Sequence, residues 1–137
     1  MGSSDPLRRA LLWGPVVAYM AGIFYLSHQS SPPVPGGIPD WILHGVEYFG
    51  FAVLVVRAVS GGLPAVLNGS RVLSTMAIVT AYAMSDEVHQ MFVPYRTADI
   101  RDVRSDVIGA SLALLACWAW LIIAGPRPQI ANPKSQR

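Results

Sequence analysis

The chain has 137 residues, room for one domain, of which 53% are hydrophobic and only 13% charged. A soluble domain usually carries about 25% charged residues, so the composition excludes an ordinary monomer in water. A formal charge of +2, with no basic stripe interleaved with aromatics, gives no reason to expect a nucleic-acid partner. The single cysteine, Cys117, lies in an apolar run and forms no intramolecular disulfide, so it suits a packing role.

Residues 1–9 read as a short N-terminal tail. Four long apolar windows follow, at about residues 10–26, 41–59, 72–92 and 107–124. Each approaches the roughly 17–25 residues that a helix needs to cross a bilayer. Lipid offers no partner to backbone N–H and C=O groups, so a spanning segment satisfies its own, and the alternation of a barrel strand is missing. The expected fold is all-α: a four-helix transmembrane bundle over residues 10–124.

The first window carries Pro15, read as lying in the first turns, where a missing N–H costs least. No small-x-small cleavage site follows Leu26, so the segment is expected to stay as a helix. The connector at residues 31–39 has too much proline and glycine for a helix, and residues 60–70 read as a turn region. Residues 125–137 are polar and proline-bearing, as a flexible tail would be.

Lysine and arginine placement sets orientation. With four spans, Arg8, Arg9, Arg57, Arg71, Arg127, Lys134 and Arg137 share one side, against Arg96, Arg101 and Arg104 on the other. The bias puts both termini in the cytoplasm of a multi-pass protein of the cell membrane. The acids are more lopsided: only Asp5 is on the terminal side, while Asp40, Glu47, Asp86, Glu87, Asp99, Asp102 and Asp106 gather at or near the outer face.

Several of these groups fall inside the windows. His44 and Glu47 are three apart on one helical face, and Asp86, Glu87 and Gln90 occupy one arc of the third helix. Uncompensated charge within a span is costly, so such groups face inward and mark function by default. The expected partners are His44, His89, Arg96, Arg101 and Arg104. Asp99 and Asp102 also suit plain first-turn acids at a helix N-terminus, and a structural ion pair is the competing account of Glu47 and Glu87. His28, just past the first window, reads as a solvated loop residue. Trp41, Tyr48 and Tyr95 are expected at the outer headgroup level.

Two blocks, "DWILHGVEYFGF" and "SDEVHQMFVPYRTADIRDVRSDVIGA", together with the "YLSHQS" exit of the first window, resemble the VanZ-like family of small bacterial membrane proteins. The matching positions in the first block are Asp40, His44, Glu47 and Tyr48. In the second they are Ser85, Asp86, Glu87, His89, Gln90, Pro94, Arg96, Asp102, Asp106 and Gly109. The chain departs from the family's usual residues at three places. Trp41 stands where lysine is frequent, Tyr95 where glycine is frequent, and Asp106 where asparagine is common.

The resemblance implies a membrane fold and a cell-envelope setting. The family's founding member is associated with resistance to the lipoglycopeptide teicoplanin, without the usual remodelling of cell-wall precursors. Lowered susceptibility to glycopeptide antibiotics, through an outer-face polar pocket, is therefore one expectation. The residues themselves support another: an enzyme or binder acting on a lipid or lipid-linked head group. Glu47, Glu87 and His44 would serve as acid–base groups, and Asp86, His89, Gln90, Arg96, Asp102 and Asp106 would line the binding site. Arg96 suits a phosphate or carboxylate. Ser85 is a weak nucleophile candidate, because it lacks a glycine-flanked elbow and serines in spans bond back to the helix. His44, Glu47, Glu87 and Asp102 are candidate ligands for a hard divalent metal, although no HExxH spacing is present. A transport role is less well supported, because no polar trail leads from these residues to the opposite face. The partners implied are the lipid bilayer and a head group, a cell-wall precursor or the lipoglycopeptide itself.

Overall fold

A computed structural model of the chain describes residues 5–31, 36–63 and 66–124. The tail at 125–137 with Arg127, Lys134 and Arg137, the first four residues, and positions 32–35 and 64–65 of the two connectors lie outside the described residues. Within the described residues there are four helices and no strand: α1 (Pro6–Ser27), α2 (Asp40–Ser60), α3 (Gly69–Gln90) and α4 (Ile100–Ala124).

Local chemistry sets the helix starts. Asp5 caps α1, its side chain accepting from the Leu7 N–H at 3.0 Å, with Pro6 at the first helical position. Asn68 caps α3 by accepting from the Arg71 N–H at 2.9 Å. Asp99 does the same for α4, accepting from the Arg101 N–H at 2.8 Å. This cap starts α4 at Ile100, ahead of the apolar stretch that begins near Val107.

By length and composition, α1, α2 and α4 are apolar enough to cross a membrane. Helix α3 is as long as α1, but its C-terminal end carries Ser85, Asp86, Glu87, His89 and Gln90. Its polar side is turned inward: Thr75, Asp86, Glu87 and Gln90 are buried, while Leu73, Met84 and Val88 are exposed. The described bundle sorts its side chains by size as well. Its core is largely small or β-branched, with Ala52, Val55, Val79, Ala83, Ala110 and Ala113 around Tyr48 and Phe51. Large side chains such as Trp118, Trp120 and Ile123 face out. That is the arrangement a lipid solvent selects, since lipid tails do not drive apolar groups together and close packing of small residues does the work.

Helix α2 is central. It packs most extensively on α4 and also meets α3 and α1, whereas α1 and α4 do not touch. Gly109 is a point of close approach between α4 and α2: a Cβ there would collide with the backbone carbonyl of Gly45. Helices α2 and α4 start at the same end of the bundle and run parallel, and α3 runs back against both.

Pro15 stands nine positions beyond Pro6, in the interior of α1 rather than in its first turns as the sequence suggested. It lacks the N–H that the Leu11 carbonyl four residues earlier would accept. Arg57 of α2 supplies the missing donor, its Nη1 lying 3.1 Å from the Leu11 oxygen. Other arginines at this end are also spent on backbone carbonyls: Arg8 donates to Gly61 at 2.8 Å and Arg71 to Val66 at 2.5 Å.

Two outcomes follow from these contacts. Arg57→Met should lower the unfolding free energy in mixed micelles by about 1–2 kcal/mol, and a Pro15→Ala background, which restores the N–H, should erase most of that loss. Equal losses in both backgrounds would refute the account of the Leu11 carbonyl. Gly109→Ala should cost about 1–3 kcal/mol by overpacking. Gly14→Ala, where a Cβ meets nothing within 4 Å, should leave stability unchanged or raise it.

Candidate functional site

The N-termini of α2 and α4 meet the C-terminus of α3 at one end of the bundle. Because α4 lies so close to α2 at Gly109, the residues one and two turns earlier, Asp106 and Asp102, come against His44. His44 Nδ1 is 3.2 Å from Asp106 Oδ1, in hydrogen-bond range. His44 Nε2 is 4.0 Å from Asp102 Oδ2, beyond it. Asp106 is 1% exposed and His44 7%, so this pair is sealed between the two helices. Asp40, at the first turn of α2, offers a carboxylate oxygen to the same place: ligand atoms of Asp40, His44 and Asp102 all lie within 4.8 Å of one another.

Helix α3 contributes a second set. Gln90 Nε2 donates to Asp86 Oδ2 at 3.2 Å, one turn along the helix, with both side chains buried. Glu87 Oε2 accepts the backbone N–H of Asp99 at 2.8 Å, which ties the end of α3 to the cap of α4. Asp86 Oδ1 and Glu87 Oε1 are buried and have no hydrogen-bond partner among the described residues. The Arg96 Nε is buried in the same unpartnered state. The loop between the helices passes through Tyr95, which holds φ 64° and is 97% exposed. A left-handed conformation costs a non-glycine residue about 1–2 kcal/mol.

These elements enclose a cavity of about 460 Å³ whose lining includes Asp40, Gln90, Arg96, Asp99, Asp102 and Ser105. Trp41, Tyr95 and Arg101 also face it. The walls are therefore mixed in charge, with two guanidinium-bearing residues and three carboxylate-bearing ones.

Of the residues that the sequence singled out, the structure gathers His44, Asp102 and Asp106 directly, and places Gln90, Arg96 and Asp102 on the cavity. Glu87 and Asp86 stand behind it on α3. Glu47 is half-buried and within Coulombic reach of His44, Asp86, Asp106 and Arg96, but it lines a separate, mainly apolar groove of about 590 Å³ against α1. Tyr19 reaches over from α1 to donate to the Glu47 carbonyl at 2.9 Å. His89 points away from the cavity. Its Nε2 is 3.3 Å from His28 Nδ1, and both rings pack near Phe24. His28, expected to be a plain loop residue, is thus part of a contact between α1 and α3.

Two further expectations are corrected. Tyr48 is fully buried and belongs to the core, one turn below His44, so it marks no headgroup level. Among the described residues the carboxylates pair within 4.0 Å with His44 alone, and Arg96, Arg101 and Arg104 form no such pair. Ser85 is exposed and donates back to the Tyr82 carbonyl at 2.7 Å, the ordinary behaviour of a helical serine. Asp40 as a neighbour of His44 was missed as a ligand candidate. Its four-residue spacing from His44, one helical turn, was the available signal.

No curated protein and no solved structure matches the chain. Residues 42–123 match the VanZ/LLP1 family, a span that takes in most of α2, all of α3 and nearly all of α4, and with them His44, Asp86, Glu87, Arg96, Asp102 and Asp106. More than half of the chain is covered, with the histidine, the carboxylates and Arg96 inside the matched stretch, and the chain belongs to the VanZ/LLP1 family.

Proposed function

We propose that the protein is a multi-pass protein of the cell membrane with both termini in the cytoplasm. Its polar cavity then faces outward and receives the anionic head group of a lipid or lipid-linked cell-wall precursor. Occupation of that cavity lowers susceptibility to glycopeptide antibiotics of the teicoplanin type. The antibiotic link is carried by family membership. The head-group link is carried by one observation: a cavity of about 460 Å³ at the end of a membrane bundle, with Arg96 in its wall and the Arg96 Nε buried without an acceptor among the described residues. A guanidinium left with a free donor in a sheltered place is suited to a phosphate or carboxylate, which accepts from it in a planar fork. The cavity opens at the end of the bundle where α2 and α4 begin and α3 ends, and in this orientation it would lie at head-group depth. The orientation is supported by the arginines of the opposite end, since cytoplasmic loops carry the excess of positive residues.

A second reading makes the same pocket catalytic. It is favoured by Glu87, just behind the cavity wall, whose Oε2 accepts from the Asp99 N–H while its buried Oε1 has no partner among the described residues and would be the atom to hold a proton. Glu87→Gln keeps an oxygen for the Asp99 N–H and removes that exchange. Catalysis would appear as a change in the lipid extract of expressing cells that this variant abolishes.

Expression in a susceptible host should raise the teicoplanin concentration needed to stop growth, and Arg96→Gln should return it to that of the empty host with unchanged protein in the membrane. Full protection by Arg96→Gln, or none by the parent, would overturn the reading. In a Cys117→Ala background, Tyr95→Cys should react with an impermeant maleimide on intact cells, and Val66→Cys should react only after lysis. The reverse pattern would invert the orientation.

A further inference from the structure

We propose that Asp40, His44 and Asp102 form a binding site for one divalent transition-metal ion, of the zinc or manganese type, at the wall of the cavity. The inference does not depend on what fills the cavity, because it concerns the protein and the ion alone.

The first support is the state of His44. Its Nδ1 lies 3.2 Å from the Asp106 carboxylate, an acceptor only, so the proton of a neutral ring sits on Nδ1. The other nitrogen then presents a lone pair. His44 is nine-tenths buried, and its Nε2 makes no hydrogen bond among the described residues. It faces Asp102 Oδ2 at 4.0 Å, too far for a hydrogen bond, and a small side-chain rotation would close that gap to the spacing of two ligands on one ion with bonds of about 2.0–2.2 Å. Asp40 completes a set whose ligand atoms lie within 4.8 Å of one another. A carboxylate that orients the far side of a ligating imidazole is a common second shell of metal sites, and Asp106 stands in that position.

The second support is charge. Asp40, Asp102 and Asp106 all act on His44 electrostatically, and Glu47 and Glu87 lie within Coulombic reach of it. Arg96 is the guanidinium that acts on Asp102 and Glu47, yet it pairs with neither within 4.0 Å among the described residues. Glu87 Oε1 is buried there without a donor among the described residues. Asp106 and Glu87 are buried around this imidazole, with Glu47 and Asp102 part-buried and Asp40 exposed beside them, a balance that favours added positive charge, and a divalent ion supplies two units at one point. Mixed imidazole and carboxylate ligands favour zinc or manganese over calcium, which takes oxygen alone. Asp40 and Asp102 also line the cavity, so the ion's remaining positions open onto it.

The test uses the full-length protein in lipid nanodiscs, stripped with chelator and then titrated with Zn²⁺, Mn²⁺, Mg²⁺ and Ca²⁺. The expected result is about one equivalent of Zn²⁺ or Mn²⁺ bound per chain, with a rise in melting temperature and with Mg²⁺ and Ca²⁺ binding much more weakly. Manganese should also show the loss of free-ion paramagnetic resonance signal in the unmutated protein, a readout that needs no variant to fold. Asp102→Asn and His44→Ala should abolish binding, and Asp106→Asn should weaken it by about 10–100-fold. No saturable binding of either ion to the unmutated protein would overturn the proposal and leave His44 as a charged partner of Asp106. Undiminished binding by folded Asp102→Asn and His44→Ala would overturn it as well, by placing the ion elsewhere.

Discussion

The approach of α4 to α2 at Gly109 is the contact from which the site follows. No side chain separates the two helices there, and the backbone of Gly45 fills the space that a Cβ would need. In water such a contact would be one of many that exclude solvent. In lipid it carries more weight, because association depends on dispersion at close range and on polar contacts between helices. The same approach brings His44 to Asp106 and toward Asp102, which lie three and seven residues before Gly109 and so on the same face of α4. The glycine and the polar pair are therefore one device. The close approach seals the hydrogen bond from lipid, and the hydrogen bond adds a directional contact to the close approach.

Helix α3 shows what this arrangement makes possible. Taken alone it is not apolar enough to be read as a span, whereas its three companions are. Its acids and Gln90 turn toward α2 and α4, and its exposed positions are Leu73, Met84 and Val88. A polar helix is tolerated in a bilayer when its neighbours supply the solvent that lipid does not. Glu87 does so for the backbone as well, since its carboxylate holds the first residue before α4.

Much of this was legible in the sequence, and the misses have physical causes. Four helices, and the inward arc of Asp86, Glu87 and Gln90, follow from periodicity and the cost of charge in lipid. Spacing could not divide His44 from Glu47. Three residues leave about 60° between two side chains on a helix of 3.6 residues per turn, enough for one to face α4 and the other the groove beside α1. His89 likewise sits off the arc of Asp86 and Gln90 and meets His28 instead. Tyr48 was misplaced because aromatic composition suggested a belt, while its four-residue step from His44 puts it on the face toward the core. The interior place of Pro15 depended on where α1 begins, and that was set by Asp5 and Pro6 rather than by the apolar run.

The two ends of the bundle treat charge in opposite ways. At the end where α1 begins, Arg8, Arg57 and Arg71 donate to backbone carbonyls, so cations complete hydrogen bonds that helix ends and a proline leave open. At the other end carboxylates predominate, and the arginines nearby pair with none of them within 4.0 Å among the described residues. Had the role of these acids been structural, internal pairing would have been the economical solution, since a buried charge without its partner is among the costlier features a fold can carry. Arg96 and Glu87 instead keep polar atoms buried and, among the described residues, unmatched in the same region. Unmatched donors and acceptors of both signs, held by helices that pack tightly elsewhere, are what a site for a polar guest requires. On the reading proposed above, such a guest would complete an electrostatic arrangement that the described residues leave open.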